Sequence, residues 1–171
     1  KQKTAYEIRP RDWSSDVCSS DLMSDHDVER EYVALAWGHF DSKSGVIDAS
    51  IGRDPRDPLK MAVVREGKWA RTHFEVLEEF TEPAALSLVK CTLETGRTHQ
   101  IRVHLAATGH AVVGDSTYGG ARSSLRSPRP MLHAARLAFV HPVTGEQMQF
   151  GAGMPSDMTD VISRCSSPAA D

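Results

Sequence analysis

The chain has 171 residues, 40% of them hydrophobic, so it is long enough to bury the core of one domain. It contains no run of about 18 apolar residues, as a membrane-spanning helix would need, and its N-terminus lacks the apolar core of a signal peptide. We therefore expect a cytoplasmic protein. The three cysteines, Cys18, Cys91 and Cys165, are far apart and form no Cys-x-x-Cys pair, which excludes a disulfide framework and a thiolate zinc site.

The net charge of −3 is unevenly distributed along the chain. Residues 90–136 contain seven Lys or Arg against two Asp or Glu, whereas residues 23–89 contain eight against thirteen. A locally basic surface is what a protein needs to neutralise RNA phosphates. The alternative is that the arginine-rich stretch 122–130 is simply a solvated loop.

The two ends of the chain differ from its middle. Residues 1–22 show no helical or strand periodicity and resemble translated sequencing-adapter read-through, so we expect a non-native leader without stable structure before Met23. Residues 23–155 carry the patterns of a folded domain. Residues 156–171 predict a short helix from Ser156 and a disordered Ser/Pro/Ala-rich tail.

Alternating apolar residues predict a series of strands. In 29–37, Tyr32, Ala34 and Ala36 fall on one face and Val33, Leu35 and Trp37 on the other, so both faces should be covered. A Thr-Glu-Pro turn joins two alternating runs into a predicted β-hairpin. The Gly, Pro and Asp content of residues 40–60 marks loops around a short strand. The further strands are expected at 46–49, 72–77, 85–93, 131–140 and 147–150.

One helix is predicted at residues 98–108. Ile101, Leu105 and Thr108 recur at helical spacing, Thr98 is the expected N-cap, and Gly109 ends the helix. Because strands occur in runs and helices are segregated, the fold class is α+β, with a mostly antiparallel mixed sheet and flanking helices.

Arg102 is the most informative residue of this helix. The helix is apolar around most of its circumference, so Arg102 should lie near or inside the core. A buried guanidinium needs a carboxylate or phosphate partner, because an uncompensated charge costs several kcal/mol. Arg102 either belongs to a catalytic pocket or forms a structural ion pair with Glu94 or Asp115.

The eight histidines do not predict a metal site. His99 and His104 are five residues apart, about 140° around a helix at 100° per residue, so they cannot bind one ion. The sequence has no His-Glu-x-x-His motif. The glycine-rich stretch 114–120 also lacks the Gly-Lys-Ser/Thr ending of a P-loop.

The string Leu-Glu-Thr-Gly-Arg-Thr-His-Gln-Ile-Arg-Val-His-Leu at 93–105, with Gly-Asp-Ser-Thr-Tyr-Gly at 114–119, resembles the RluA-type pseudouridine synthases. The resemblance runs from about residue 29 to 155, and Gly-Arg-Asp-Pro-Arg-Asp at 52–57 with Met-Ala-Val at 61–63 is similar to the branch that modifies large-subunit ribosomal RNA. It implies that residues 23–155 form part of a catalytic domain. The implied reaction isomerises uridine to pseudouridine in RNA without cofactor or metal, and we expect a monomer.

The resemblance also implies roles for six residues. Tyr32 matches the tyrosine that packs against the flipped uracil and serves as general base, and Leu132 matches the apolar wall opposite. Arg102 matches the arginine that pairs with the catalytic aspartate. Further substrate-binding residues are expected within the motif at Arg97, His99 and Gln100.

The nucleophilic aspartate of the family lies in an Arg-Leu-Asp-x-x-Thr-Ser-Gly motif, and no such string occurs in these 171 residues. We therefore expect a truncated family member that is inactive by itself. The competing hypothesis is a non-catalytic module that binds structured RNA by shape and phosphate contacts.

Overall fold

The computed structural model describes residues 28–166, so the predicted leader at 1–22 and the last five residues lie outside the described part. Six strands form one antiparallel sheet in the order β2-β5-β6-β1-β7-β8, and two short strands, β3 and β4, pair separately. The strands are β1 Glu29–Trp37, β2 Ser44–Asp48, β3 Ile51–Arg53, β4 Met61–Val63, β5 Arg71–Phe80, β6 Leu86–Leu93, β7 Leu132–Val140 and β8 Gln147–Gly151. The helices are α1 Gln100–Ala107 and α2 Ser156–Ile162. The predicted α+β class with an antiparallel sheet is confirmed.

Strand β1 occupies the middle of the sheet and is covered on both faces, as its sequence predicts. Ala34 packs with Ile101 of α1 in one buried cluster. Leu35 and Trp37 pack on the other face with Met158 of α2. Each face of the sheet therefore carries one helix.

The predicted hairpin is formed by β5 and β6, which pair antiparallel from Thr72 opposite Leu93 to Phe80 opposite Leu86. Strand β5 extends three residues beyond the predicted end at residue 77. The remaining predicted strands and the C-terminal helix from Ser156 are present.

The start of α1 differs from the prediction. The helix begins at Gln100, and its N-cap is His99, whose φ of 57° is left-handed, rather than Thr98. The backbone N–H of Gln100 donates to the carbonyl of Arg97, which closes a turn just before the helix. The left-handed residue interrupts the helical path, so the residues before it cannot continue α1.

The loop prediction for residues 40–60 missed strand β3, which pairs with β4, just after that stretch, in a separate two-stranded sheet. Ile51 is buried and packs with Ala70 and with Val103 of α1. Ile51 and Lys68 exchange backbone hydrogen bonds of 2.9 and 2.8 Å, and the backbone of Gly67 lies so close to Ile51 that a side chain would not fit. The β3–β4 hairpin is thereby held against α1.

Within residues 28–166, neither helix is long and apolar enough to cross a membrane.

Candidate active site

Helix α1 uses most of its surface for packing. Ile101 and Leu105 face the sheet, and Val103 faces the cluster beneath the β3–β4 hairpin. Arg102 lies between these two buried directions, and its side chain is 17% exposed. The prediction that Arg102 sits near the core is correct.

The partner of Arg102 is Asp115. Its Nε and Nη2 donate to the two carboxylate oxygens over 2.6 and 2.8 Å, a bidentate pair in which Asp115 is fully buried. Backbone N–H groups of Thr117 and Tyr118 also donate to Asp115 Oδ1. Of the two carboxylates that the sequence offered to Arg102, the structure therefore pairs it with Asp115 and not with Glu94.

The ion pair alters the acid–base properties of both groups. Burial would raise the pKa of Asp115, but the hydrogen bonds and charge of Arg102 outweigh burial and hold that pKa below its usual value. The hydrogen bond to Asp115 raises the pKa of Arg102. Both groups are therefore charged near neutral pH.

Tyr118 connects Arg102 with two other parts of the site. Its ring lies under the guanidinium, 4.9 Å from Arg102 Cζ to the ring centroid. Its hydroxyl oxygen is 2.9 Å from Nδ1 of His99 and accepts a 3.2 Å hydrogen bond from the backbone N–H of Met61. Burial and the nearby Arg102 charge lower the pKa of His99, so that its ring is neutral at neutral pH. Tyr118 was not predicted as a site residue, although it lies in the quoted Gly-Asp-Ser-Thr-Tyr-Gly segment.

The two other residues predicted to contact substrate in the motif have different environments. Gln100 is buried, and its amide is fully used, since Oε1 accepts two hydrogen bonds and Nε2 donates two. Arg97 is exposed, and its Nε donates to the carbonyl of Trp69 over 3.0 Å. Gln100 therefore joins the loop between β6 and α1 to strand β5. Arg97, in contrast, is exposed to solvent.

Tyr32 and Leu132 share the sheet face that α1 covers, where both pack against the cluster containing Ile101. Tyr32 also lines a mainly apolar cavity of about 360 Å³ with Arg30 and Ala134. Arg102 turns instead towards Asp115 and Tyr118. A larger depression of about 660 Å³, between β2, β5 and β6, contains none of the predicted site residues.

Residues 28–166 contain no cluster of three or more His, Cys, Asp or Glu side chains that could hold a metal ion.

Comparison with known proteins identifies relatives of this chain. Residues 14–107 match the family model described as RNA pseudouridylate synthase. An "Uncharacterized RNA pseudouridine synthase" of Chloroflexus aurantiacus is 49% identical over 79% of this chain and 42% of its own length. "Ribosomal large subunit pseudouridine synthase D" of Nitrosomonas europaea is 46% identical over 79% of this chain and 40% of its own length. The chain thus spans about two fifths of the length of these curated relatives.

Two solved human structures have the same fold. RNA Pseudouridylate Synthase Domain Containing 1 superposes with a TM-score of 0.71 at 31% identity, covering 88% of this chain and 62% of the human one. RNA Pseudouridylate Synthase Domain Containing 4 has a TM-score of 0.65 at 23% identity, over 89% of this chain and 68% of the human one, and supports the fold alone. The family model and the curated relatives, together with the Gly-Arg-Thr-His-Gln-Ile-Arg motif at residues 96–102, show that the chain belongs to the RNA pseudouridylate synthase family, as an RluA-type, RluD-like member.

Proposed function

We propose that this chain is part of an enzyme that isomerises uridine to pseudouridine in RNA, with large-subunit ribosomal RNA as the substrate. The observation that carries this proposal is the environment of the family motif. Arg102 is fixed by Asp115 and lies over Tyr118, whose hydroxyl contacts the exposed His99, and the exposed Arg97 precedes them in the same motif. A relative named for the large ribosomal subunit supports the choice of RNA.

In this proposal Arg102 orients the nucleophilic carboxylate. Asp115 engages Nε and Nη2, so Nη1 remains available for a second anion. A guanidinium that is already fixed by one carboxylate can hold another in a defined direction at little further entropic cost. Asp115 then acts as a positioning residue, because it reaches the reacting atoms only through Arg102.

Tyr32 and Leu132 are the proposed walls of the uridine pocket. An enzyme that acts on a base must flip it out of its stack and hold it between apolar or aromatic surfaces. The ring of Tyr32 offers such a surface and its hydroxyl can transfer a proton, while Leu132 packs against the same cluster. The mainly apolar cavity beside Tyr32 supports this assignment.

The nucleophile of the proposed reaction is an aspartate in an Arg-Leu-Asp motif, which these 171 residues do not contain. We propose that a segment outside this sequence supplies it. The absence of the motif equally favours the second candidate function, a module that binds structured RNA without chemistry. The predicted monomeric state and cytoplasmic location stay predictions.

Incubation of the purified chain with large-subunit ribosomal RNA tests the proposal. We expect RNA binding but no pseudouridine above a no-protein control, measured by nucleoside mass spectrometry, because the remaining groups cannot replace a covalent nucleophile. Fusion to a segment that carries the Arg-Leu-Asp-x-x-Thr-Ser-Gly motif should produce pseudouridine.

The matched control is the same fusion with that aspartate changed to asparagine, which should be inactive. Pseudouridine formed by the 171-residue chain alone would show that its nucleophile lies within the sequence. A folded, RNA-binding fusion that forms no pseudouridine would instead support the non-catalytic module.

A further inference from the structure

We propose that Trp69 forms a second RNA contact, on which an unpaired base stacks outside the uridine pocket. Trp69 immediately precedes Ala70 and strand β5, and 44% of the residue is exposed. Because the ligand is RNA, this site rests on the proposed function. Trp69 is not among the residues assigned to the reaction, although its neighbour Arg97 belongs to the family motif.

The indole of Trp69 is held in a defined orientation. Its Nε1 donates to Asp48 Oδ1 over 2.9 Å. The guanidinium of Arg71 lies over the ring, 5.2 Å from Cζ to the centroid, and Arg71 itself donates to Asp48 and Glu94. An aromatic ring that is already immobilised loses little conformational entropy when a base stacks on it.

The backbone beside this indole contacts two other segments, the family motif and the β3–β4 hairpin. The carbonyl of Trp69 accepts a hydrogen bond from Nε of Arg97, in the family motif. The preceding Lys68 exchanges two backbone hydrogen bonds with Ile51 of the β3–β4 hairpin. A base on Trp69 would therefore have the Arg97 guanidinium within reach of its phosphate.

The charge around Trp69 favours a nucleic acid over an apolar partner. The segment 51–71 that contains Trp69 has six Lys or Arg against three Asp or Glu, and its exposed cations are Arg53, Arg56, Arg65 and Lys68. The two carboxylates next to the indole, Asp48 and Glu94, are both paired with Arg71. An aromatic side chain within a basic surface is the usual arrangement for binding single-stranded nucleic acid. The other exposed aromatic among residues 28–166, Phe150, stacks on Phe139.

A structural role without ligand is the alternative for Trp69. Its neighbour Ala70 belongs to the small cluster of Ile51 and Val103, so the indole could serve only to shield that cluster. The two roles differ in what they require. Shielding needs any bulky apolar side chain, whereas stacking needs an aromatic ring and an unpaired base.

The test compares Trp69→Leu, which keeps an apolar side chain, with Trp69→Phe, which keeps an aromatic ring. Fluorescence anisotropy at about 0.1 M salt gives the affinity of each variant for an RNA hairpin with an eight-nucleotide loop and for a fully paired RNA duplex of equal length. Thermal unfolding of each variant confirms that it is folded at the assay temperature.

We expect Trp69→Leu to weaken hairpin binding by about 5- to 140-fold, the range for one stacked base, and to leave duplex binding unchanged. Trp69→Phe should stay within about threefold of the wild type. Hairpin RNA should also quench tryptophan emission more strongly in the wild type than in Trp69→Phe, which retains Trp13 and the buried Trp37 but lacks the stacking indole.

Equal hairpin affinity of the wild type and Trp69→Leu would overturn the stacking site while leaving RNA binding intact. An equal loss for hairpin and duplex would also overturn it, since base stacking requires unpaired bases. If the wild type binds neither RNA, the RNA partner itself is wrong and both proposals fail together.

Discussion

At the scale of single residues, Arg102 shows how a buried charge selects its partner. The buried guanidinium of Arg102 needs a carboxylate partner, and the sequence has two candidates for it, Glu94 and Asp115. Glu94 is already engaged by Arg71 and His73, two strand β5 residues on the exposed surface. Asp115 lies in the buried turn after Val112, whose carbonyl accepts its backbone N–H. Of these two carboxylates, Asp115 is therefore the one placed to neutralise Arg102 away from water.

Arg102→Met should destabilise the fold by about 3–5 kcal/mol, the cost of leaving a buried charge without its partner. Urea unfolding measures this change. The matched control is Lys43→Met, which removes an exposed pair with Glu79 and should cost less than about 1 kcal/mol.

The double variant Arg102→Met/Asp115→Asn provides a second check. It should be more stable than Arg102→Met alone. The amide oxygen of an asparagine at position 115 can still accept hydrogen bonds from the backbone N–H groups of the turn, and no unpaired charge is buried. If Arg102→Met left the free energy of unfolding unchanged, the ion pair would not stabilise the fold.

At the scale of elements, polar side chains join α1 to the sheet. Gln100 Nε2 donates to Thr72 Oγ1, so the Thr72 hydroxyl is free to donate to Nδ1 of the buried His104. Nε2 of His104 then carries the proton and donates to the carbonyl of Ala49 over 2.9 Å. This chain of hydrogen bonds requires a neutral imidazole.

Stability should therefore fall in mild acid. Burial lowers the pKa of His104, although the Ala49 carbonyl and the Asp48 charge oppose the shift. Protonation then favours the unfolded chain, whose histidine has a pKa of about 6.5. The contribution of the neutral His104 to the free energy of unfolding is complete above that pH. It declines as the pH falls below it, by at most about 1.4 kcal/mol per pH unit for one proton.

Urea unfolding between pH 7.5 and 5 measures this decline. His104→Gln should be less stable than the wild type at pH 7.5, because it loses one of the two hydrogen bonds, but it should lose less stability as the pH falls. An identical pH dependence in both proteins would mean that His104 is not the group that takes up the proton.

At the scale of the whole molecule, residues 28–166 form a sheet with a helix on each face. Deleting residues 1–22, which have no core pattern, should leave the midpoint of thermal unfolding unchanged or raised. Calorimetry measures this midpoint. The family model begins to match at residue 14, so a fall of several degrees would mean that part of the leader belongs to the domain.

The matched control for the deletion of residues 1–22 is a second deletion, of residues 156–171. That change should lower the midpoint strongly, because it takes away Met158 and Val161 of α2, both fully or almost fully buried in the core.

The sequence alone determined the features that depend on neighbouring residues. Period-2 patterns predict the main strands and the β5–β6 hairpin because alternate side chains of a strand face opposite sides of a sheet. The segregation of helices and strands predicts the α+β class. The contiguous motif at 93–105 identifies the family, and the apolar circumference of α1 places Arg102 near the core.

The tertiary structure decided the features that depend on contacts between distant segments. Asp115 rather than Glu94 neutralises Arg102 because the chain folds a buried turn against α1. The three-residue strands β3 and β4 are too short for a periodic signal and exist through their pairing with each other and with Lys68. Trp69 lies beside Arg97 because the β5–β6 hairpin brings the segment before β5 next to the motif after β6. Local sequence cannot encode these contacts, since each requires the folded position of a partner far along the chain.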